Sequence, residues 1–221
     1  MAGTSARETA YWMIRNRIMN LDLRPHDVLN DKELEEQMRM SRTPIREAII
    51  MLSLNQLVVV RPQSGTYVAP IDLEKVEIEQ FSRYVLEKEM ATLACRTIRE
   101  ETWREYEEKM QLYEFYENSQ IADRENRMFE IDNAFHRIAF SINSRAKCYD
   151  WMVASLQHIE RIRILSLRME LNQQISQEHR GIANAIWKGD AELTDRLLRQ
   201  HLTKYQEHIL IMKKKYPHFF S

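Results

Sequence analysis

Apolar side chains recur at helical spacing along the first fifty residues. Tyr11, Ile14, Ile18 and Leu21 line one face of a first helix that closes before Arg24-Pro25, because the residue before proline is held out of the helical region. Asn30 is placed to cap a second helix, with Glu33 three residues on to reach back and Leu34 and Met38 as its apolar face. A third helix opens at Ser41-Arg42-Thr43-Pro44: either hydroxyl residue can cap it, and Pro44 suits a first turn that needs no amide donor. Its apolar positions are Ile45, Ala48, Ile49 and Leu52, which leaves Arg42 and Arg46 on the opposite face. The period then changes. Leu57–Arg61 and Thr66-Tyr67-Val68 flank Pro62-Gln63-Ser64-Gly65, turn chemistry between β-formers, and predict a short hairpin.

From Leu73 onward the pattern is helical throughout, with six segments near 73–99, 102–118, 121–141, 146–169, 171–188 and 190–214. Breaks are expected at Asn118-Ser119, Asn143-Ser144, near Asn172 and at Gly189-Asp190. Helices of this length bury their faces by packing side by side, so the expected fold is mainly α. An N-terminal winged helix-turn-helix, residues 1–70, precedes an antiparallel all-helical bundle of about six helices, residues 71–221, and Ala69-Pro70-Ile71-Asp72 joins them. Phe135, Trp151 and Trp187 are expected in its core.

Composition narrows the class. Four glycines in 221 residues leave little material for the turns of an all-β sandwich, and 44% apolar residues argue against disorder. The longest apolar stretch, Ala48–Val60, is polar-interrupted and too short for a bilayer, and no apolar run follows a basic start, so a cytoplasmic protein without a membrane partner is expected. Cys95 and Cys148 lack metal spacing and are expected to be free thiols. Net charge is −1, with nine Lys/Arg against eight Asp/Glu in residues 1–70, so any attraction to nucleic acid must come from locally placed cations.

Arg42 and Arg46 are such cations: guanidinium forks at the start of a short helix match the acceptors of guanine in the major groove, while Ser41 and Thr43 sit where a helix N-terminus favours phosphate. On spacing alone the two arginines could equally solvate a surface helix. The run Leu29-Asn30-Asp31-Lys32-Glu33-Leu34, then Ser41-Arg42-Thr43-Pro44-Ile45-Arg46-Glu47-Ala48 and Gly65, closely resembles the N-terminal domain of GntR-type bacterial transcription regulators. That resemblance implies DNA contacts by Lys32, Ser41, Arg42, Thr43, Arg46 and Gly65. Arg24-Pro25-His26-Asp27 in place of a proline-glycine turn, Lys32 where arginine is common, and Asn55-Gln56 where glycine is frequent depart from it.

Metal chemistry is the second theme. Asp132 and His136, four apart on a helix, leave the same face and can chelate one ion, although such pairs more often form surface ion pairs. His179 and His201 are equidistant from the Gly189-Asp190 turn, so an antiparallel hairpin sets them at one height, each beside an apolar face. One carboxylate and three imidazoles suit a borderline divalent metal such as zinc, nickel, manganese or iron. His208 shares the His201 face as a reserve ligand, and His158 reads as packed.

Arg83-Tyr84-Val85-Leu86-Glu87, Asp132-Asn133-Ala134-Phe135-His136, Glu178-His179, Gly189-Asp190 and His201 resemble the FCD-type helical effector domain of the FadR subfamily of the same regulators. The resemblance implies a metal at Asp132, His136, His179 and His201, and a small organic acid beside it clamped by Arg83; pairing of Arg83 with Glu87 is the alternative. The function expected is that of a metabolite-responsive homodimeric regulator, a repressor of an inverted-repeat operator, and not an enzyme. A metal-dependent hydrolase and a regulator with a purely structural metal are the rivals. Against the hydrolase stands the lack of an HExxH helix and of a phosphate loop.

Overall fold

The computed structural model describes residues 5–171 and 174–221, so the break expected near Asn172 lies outside the described residues. The chain divides into two compact units, Met1–Leu73 with Met212–Ser221, and Glu74–Ile211.

In the first unit α1 (Ala6–Met19), α2 (Asp31–Met38) and α3 (Arg42–Leu54) enclose a core of Ile14, Ile18, Leu34, Ile45, Ala48 and Leu52, all almost fully buried. Ser5 starts α1 with a reciprocal cap: its hydroxyl accepts from the Glu8 amide at 3.2 Å, and its own amide donates to Glu8 Oε2 at 3.0 Å. Asn30 Oδ1 accepts from the Lys32 amide at 3.0 Å, while its Nδ2 donates to Glu33 Oε1 at 3.3 Å. Ser41 occupies the N-cap of α3, yet its hydroxyl makes no capping bond.

The hairpin joins β2 (Val58–Arg61) to β3 (Gly65–Val68), and β1 (Val28–Leu29) pairs on the other side of β3, giving an antiparallel sheet of order β1-β3-β2. β1 is too short to show a period in the sequence. The end of the chain also belongs here. Phe220 forms a parallel bridge with Ile71, whose amide donates to the Phe219 carbonyl at 2.7 Å and whose carbonyl accepts from the Ser221 amide at 3.0 Å. The expected second domain, 71–221, therefore cedes Met212–Ser221 to the first unit.

Most of the rest is helical: α4 (Leu73–Ala94), α5 (Glu100–Glu117), α6 (Arg124–Ile142), α7 (Ala146–Ser155), α8 (His158–Arg168), α9 (Ile175–Trp187), α10 (Ala191–Thr203) and α11 (Tyr205–Lys215). Two of the six expected rods are each broken in two. The first break has a long-range cause: both carboxylate oxygens of Glu79, on α4, accept from the amides of Gln157, His158 and Ile159 at 2.8–3.1 Å, so a side chain far away in sequence caps α8. The second is the single residue Lys204 between α10 and α11, still in helical conformation.

Phe135 is buried as expected, packed with Tyr106, Ile138, Ile182 and Leu198. Trp151 and Trp187 are not core residues: they are 70% and 44% exposed, because α7 turns Tyr149 and Met152 inward instead and Trp187 sits at the last turn of α9 against Trp103.

Candidate DNA interface and metal centre

In the first unit the polar face of α3 is exposed from Ser41 to Thr43 and again at Arg46. Arg46 Nε lies 3.1 Å and Arg42 Nε 3.6 Å from the same carboxylate oxygen, Oδ2 of Asp31 at the start of α2. One acid thus aims two guanidinium groups while their side chains stay about 60% exposed. Lys32, the next residue of α2, is exposed as well. At the wing, Gly65 adopts φ +122, a conformation that other residues rarely take, so the hairpin tip needs glycine for its backbone. Beside it the Arg61 guanidinium sits 4.9 Å over the Tyr67 ring, whose hydroxyl donates to the Ser64 carbonyl. Arg61 is a wing cation that the sequence reading passed over. Its signal was a charge ending an apolar strand.

In the second unit α6 carries Asp132 and His136, α9 carries His179 and α10 carries His201, and ligand-type atoms of all four lie within 4.8 Å of one another. The α9–α10 hairpin turns at Gly189, φ +73, and Asp190 caps α10 by accepting from the Leu193 amide. Around the cluster stand two glutamates. Glu178 Oε2 is hydrogen-bonded to Nδ1 of His201 at 2.8 Å, and Glu87 Oε2 lies 2.7 Å from Nδ1 of His136. A bare nitrogen would repel a carboxylate at that distance, so in both rings Nδ1 carries the proton and Nε2 the lone pair. Yet the two Nε2 atoms face each other at 3.2 Å. His179 is fully buried with neither ring nitrogen hydrogen-bonded, although its Nε2 is 3.0 Å from Oδ1 of Asp132. Asp132 Oδ2 is held by Arg163, which also donates to Asn133 Oδ1 at 2.7 Å.

Electrostatics follow from burial and these partners. Burial drives His179 down to about 3 and His201 to about 4, and it lowers His136 despite Glu87 beside it. Burial pushes the Asp132 carboxyl up, but the Arg163 guanidinium and the nearby imidazoles hold it well below the usual carboxylate range. Glu87, likewise opposed by burial, is drawn down to about 2 by Arg83 and His136. At neutral pH the cluster therefore offers three uncharged imidazoles and an ionised carboxylate. That donor set fits a divalent transition metal, and a shared cation would relieve the opposed lone pairs and meet the unpartnered His179.

A cavity of about 60 Å³ adjoins the cluster, with Asp132 and His201 on its wall together with Arg83, Arg163, Lys204 and His208. Arg83 is buried and pairs with Glu87 at 2.6 Å, the alternative arrangement weighed from the sequence, and still lines this cavity. His208 stands apart from the four-residue cluster, with Nδ1 3.0 Å from the Ser166 hydroxyl. Arg163 was missed, although its place four after Ile159 put a charge on the apolar face of its helix.

Residues 6–68 match the family described as bacterial regulatory proteins, gntR family, and residues 80–204 match the FCD domain, more than half of the chain. The chain belongs to the GntR family and carries an FCD domain. Among similar sequences are the HTH-type transcriptional repressor RspR of Escherichia coli strain K12, 27% identical over 96% of this chain and 92% of that protein, and an uncharacterized HTH-type transcriptional regulator in an unstable DNA locus of Streptomyces ambofaciens, 27% identical over 99% and 91%. The fold is shared with E. coli McbR/YncC, TM-score 0.74 at 18% identity over 97% of this chain and all of that one. It is shared too with a GntR regulator from Rhodococcus sp. RHA1, TM-score 0.73 at 19% identity over 92% and 97%. This GntR protein is thus a DNA-binding transcriptional regulator, and among its described residues no helix is long and apolar enough to cross a membrane.

Proposed function

We propose that this regulator, of the FadR type within its family, is a cytoplasmic homodimeric repressor whose FCD domain binds a divalent metal through Asp132, His136, His179 and His201, and a small organic acid in the adjoining cavity. The observation that carries the metal is the pair of Nε2 lone pairs opposed at 3.2 Å while both Nδ1 atoms are committed to glutamates. Two buried acceptors in contact need a positive centre between them. When bound, a metal such as zinc, nickel, manganese or iron would supply a Lewis-acidic anchor for a carboxylate. Glu87 and Glu178 orient the imidazoles, as carboxylates behind metal-bound histidines generally do.

On the DNA side, Arg42 and Arg46 read bases, Ser41, Thr43 and Lys32 hold phosphates, and Gly65 lets the wing approach the backbone. One α3 reads too few base pairs for useful specificity, which supports two heads on an inverted repeat. Effector binding shifts operator affinity by a coupling of about 1–3 kcal/mol. The cavity beside the cluster favours an effector-linked metal over a purely structural one, and the kinship with regulators weighs against a hydrolase.

The test is metal content by elemental analysis of the purified protein, then operator binding before and after chelation. One divalent ion per chain, with a chelator-dependent change in operator affinity, is expected. A chain that takes up no metal from a zinc-containing buffer would overturn the reading.

A further inference from the structure

The chain passes between the two units twice, at Leu73–Glu74 and at Ile211–Met212. Both passages lie inside helices, the first turn of α4 and the body of α11, so each is made by hydrogen-bonded backbone and neither by coil. The connector expected from the sequence, Ala69-Pro70-Ile71-Asp72, is no looser. The Ala69 amide donates to the Leu57 carbonyl at 2.9 Å, and Ile71 is fully buried with its amide and carbonyl bonded to Phe219 and Ser221.

Units joined by a single short connector swivel by default. Here the two passages converge on one residue. α4 begins two residues after Ile71, and the chain beyond α11 returns to Ile71 through a 3-10 turn, Pro217–Phe219. That return is itself fixed: Phe219 is buried, and its ring stacks on Tyr216 with centroids 4.9 Å apart. A body restrained at two points loses its swivel and keeps only a hinge.

The second passage also begins at the cavity. Lys204, the joint between α10 and α11, lines it, and so do Tyr205 and His208. His208 is bonded through Nδ1 to the Ser166 hydroxyl at 3.0 Å. Met212 lies four residues after His208, hence on the same face of α11, and is fully buried as the first residue of the segment that belongs to the first unit. One turn of helix therefore separates a cavity-wall side chain from a side chain of the head's own unit.

We propose that Met212–Ser221 is a strap that makes α11 and the connector one moving part, so that a change at the cavity wall reaches the winged head through Ile71 and not through α4 alone. The probe used to test it rests on the metal reading above; the strap itself does not.

The experiment is amide hydrogen exchange, read by mass spectrometry, on the full chain and on a variant lacking residues 217–221. Each is measured free of metal and with zinc, and metal content is determined alongside. In the intact protein zinc should slow exchange in the bundle and also, by at least about fivefold, in α2 and α3 of the head, the low end of ordinary coupling between sites. Without the strap the bundle should respond as before and the head should not. Should the shorter variant fail to fold, Ile71→Pro removes the amide that donates to Phe219 while keeping every residue of the strap, and should give the same split. A head that answers zinc equally with and without the strap would assign the signal to α4 and overturn the proposal, as would a head that ignores bound zinc in the intact protein. If no zinc is taken up, the metal reading falls and the metal-free samples decide the strap. Its loss should then speed exchange in the head and in Tyr205–Ile211 alike, whereas acceleration confined to the head would reduce the strap to a passive cap and sink the proposal.

Discussion

The proposed DNA face and the candidate metal cluster are built by opposite means. Arg42 and Arg46 are neighbours on one helix, about 60% exposed, aimed by one acid from the helix before. The cluster gathers four side chains from three helices, and the imidazole of His179 is fully buried. An exposed site works through charge that water partly screens, so each residue contributes modestly and separately. In a buried site the ligands share one centre, and removing two of them removes the function. Contiguity makes the first site tolerant and tunable, whereas convergence makes the second all-or-none.

That contrast breaks most sharply under deletion. His179→Ala combined with His201→Ala should abolish stoichiometric metal, read by elemental analysis; full retention would end the four-ligand proposal. Acid should act on the cluster late. His179 and His201, held at about 3 and 4, titrate far below the ordinary imidazole value, so protons begin to compete for their nitrogens only near pH 4. Metal occupancy followed by dialysis should stay constant as pH falls from 7 to about 5 and drop below about 4. Loss centred near 6.5 would mean that the rings are solvated. Without metal, the same depressed values make stability rise with pH between the folded and unfolded imidazole values and fall on acidification through that window.

Effects on the DNA face should be smaller and graded. Arg46→Ala is expected to cost about 1–3 kcal/mol of operator affinity and to relax discrimination at one base pair; equal binding across sequences before and after would refute its reading role. Lys32→Ala should weaken specific and nonspecific DNA alike and lower the salt slope by about one, whereas an unchanged slope would remove it from the phosphate contacts.

How much of this was legible in the chain follows the same division. Local periodicity exposed α1 to α3, and the face opposite Ile45 and Leu52 exposed the arginines. Symmetry about Asp190, in the Gly189-Asp190 turn, brought His179 and His201 to one height because a hairpin preserves distance from its turn. Long-range side chains escaped. Glu79 breaks a rod by capping α8 from α4, and no window around residue 157 contains it. Arg163 entered the site as a charge on an apolar face, a pattern as common in buried ion pairs as in ligand sites. Trp151 shows the converse limit: bulk and apolarity do not say which side of α7 meets its neighbours.

Ile71 is sewn to Phe219 and Ser221 by backbone bonds, so residues some 150 positions further along the chain complete the first unit. A DNA-binding fragment cut at residue 70 would lack that seam. A peptide fused after Ser221 would load the winged head rather than the bundle, and the head acquires this strand partner only after the residues of the whole bundle have been made.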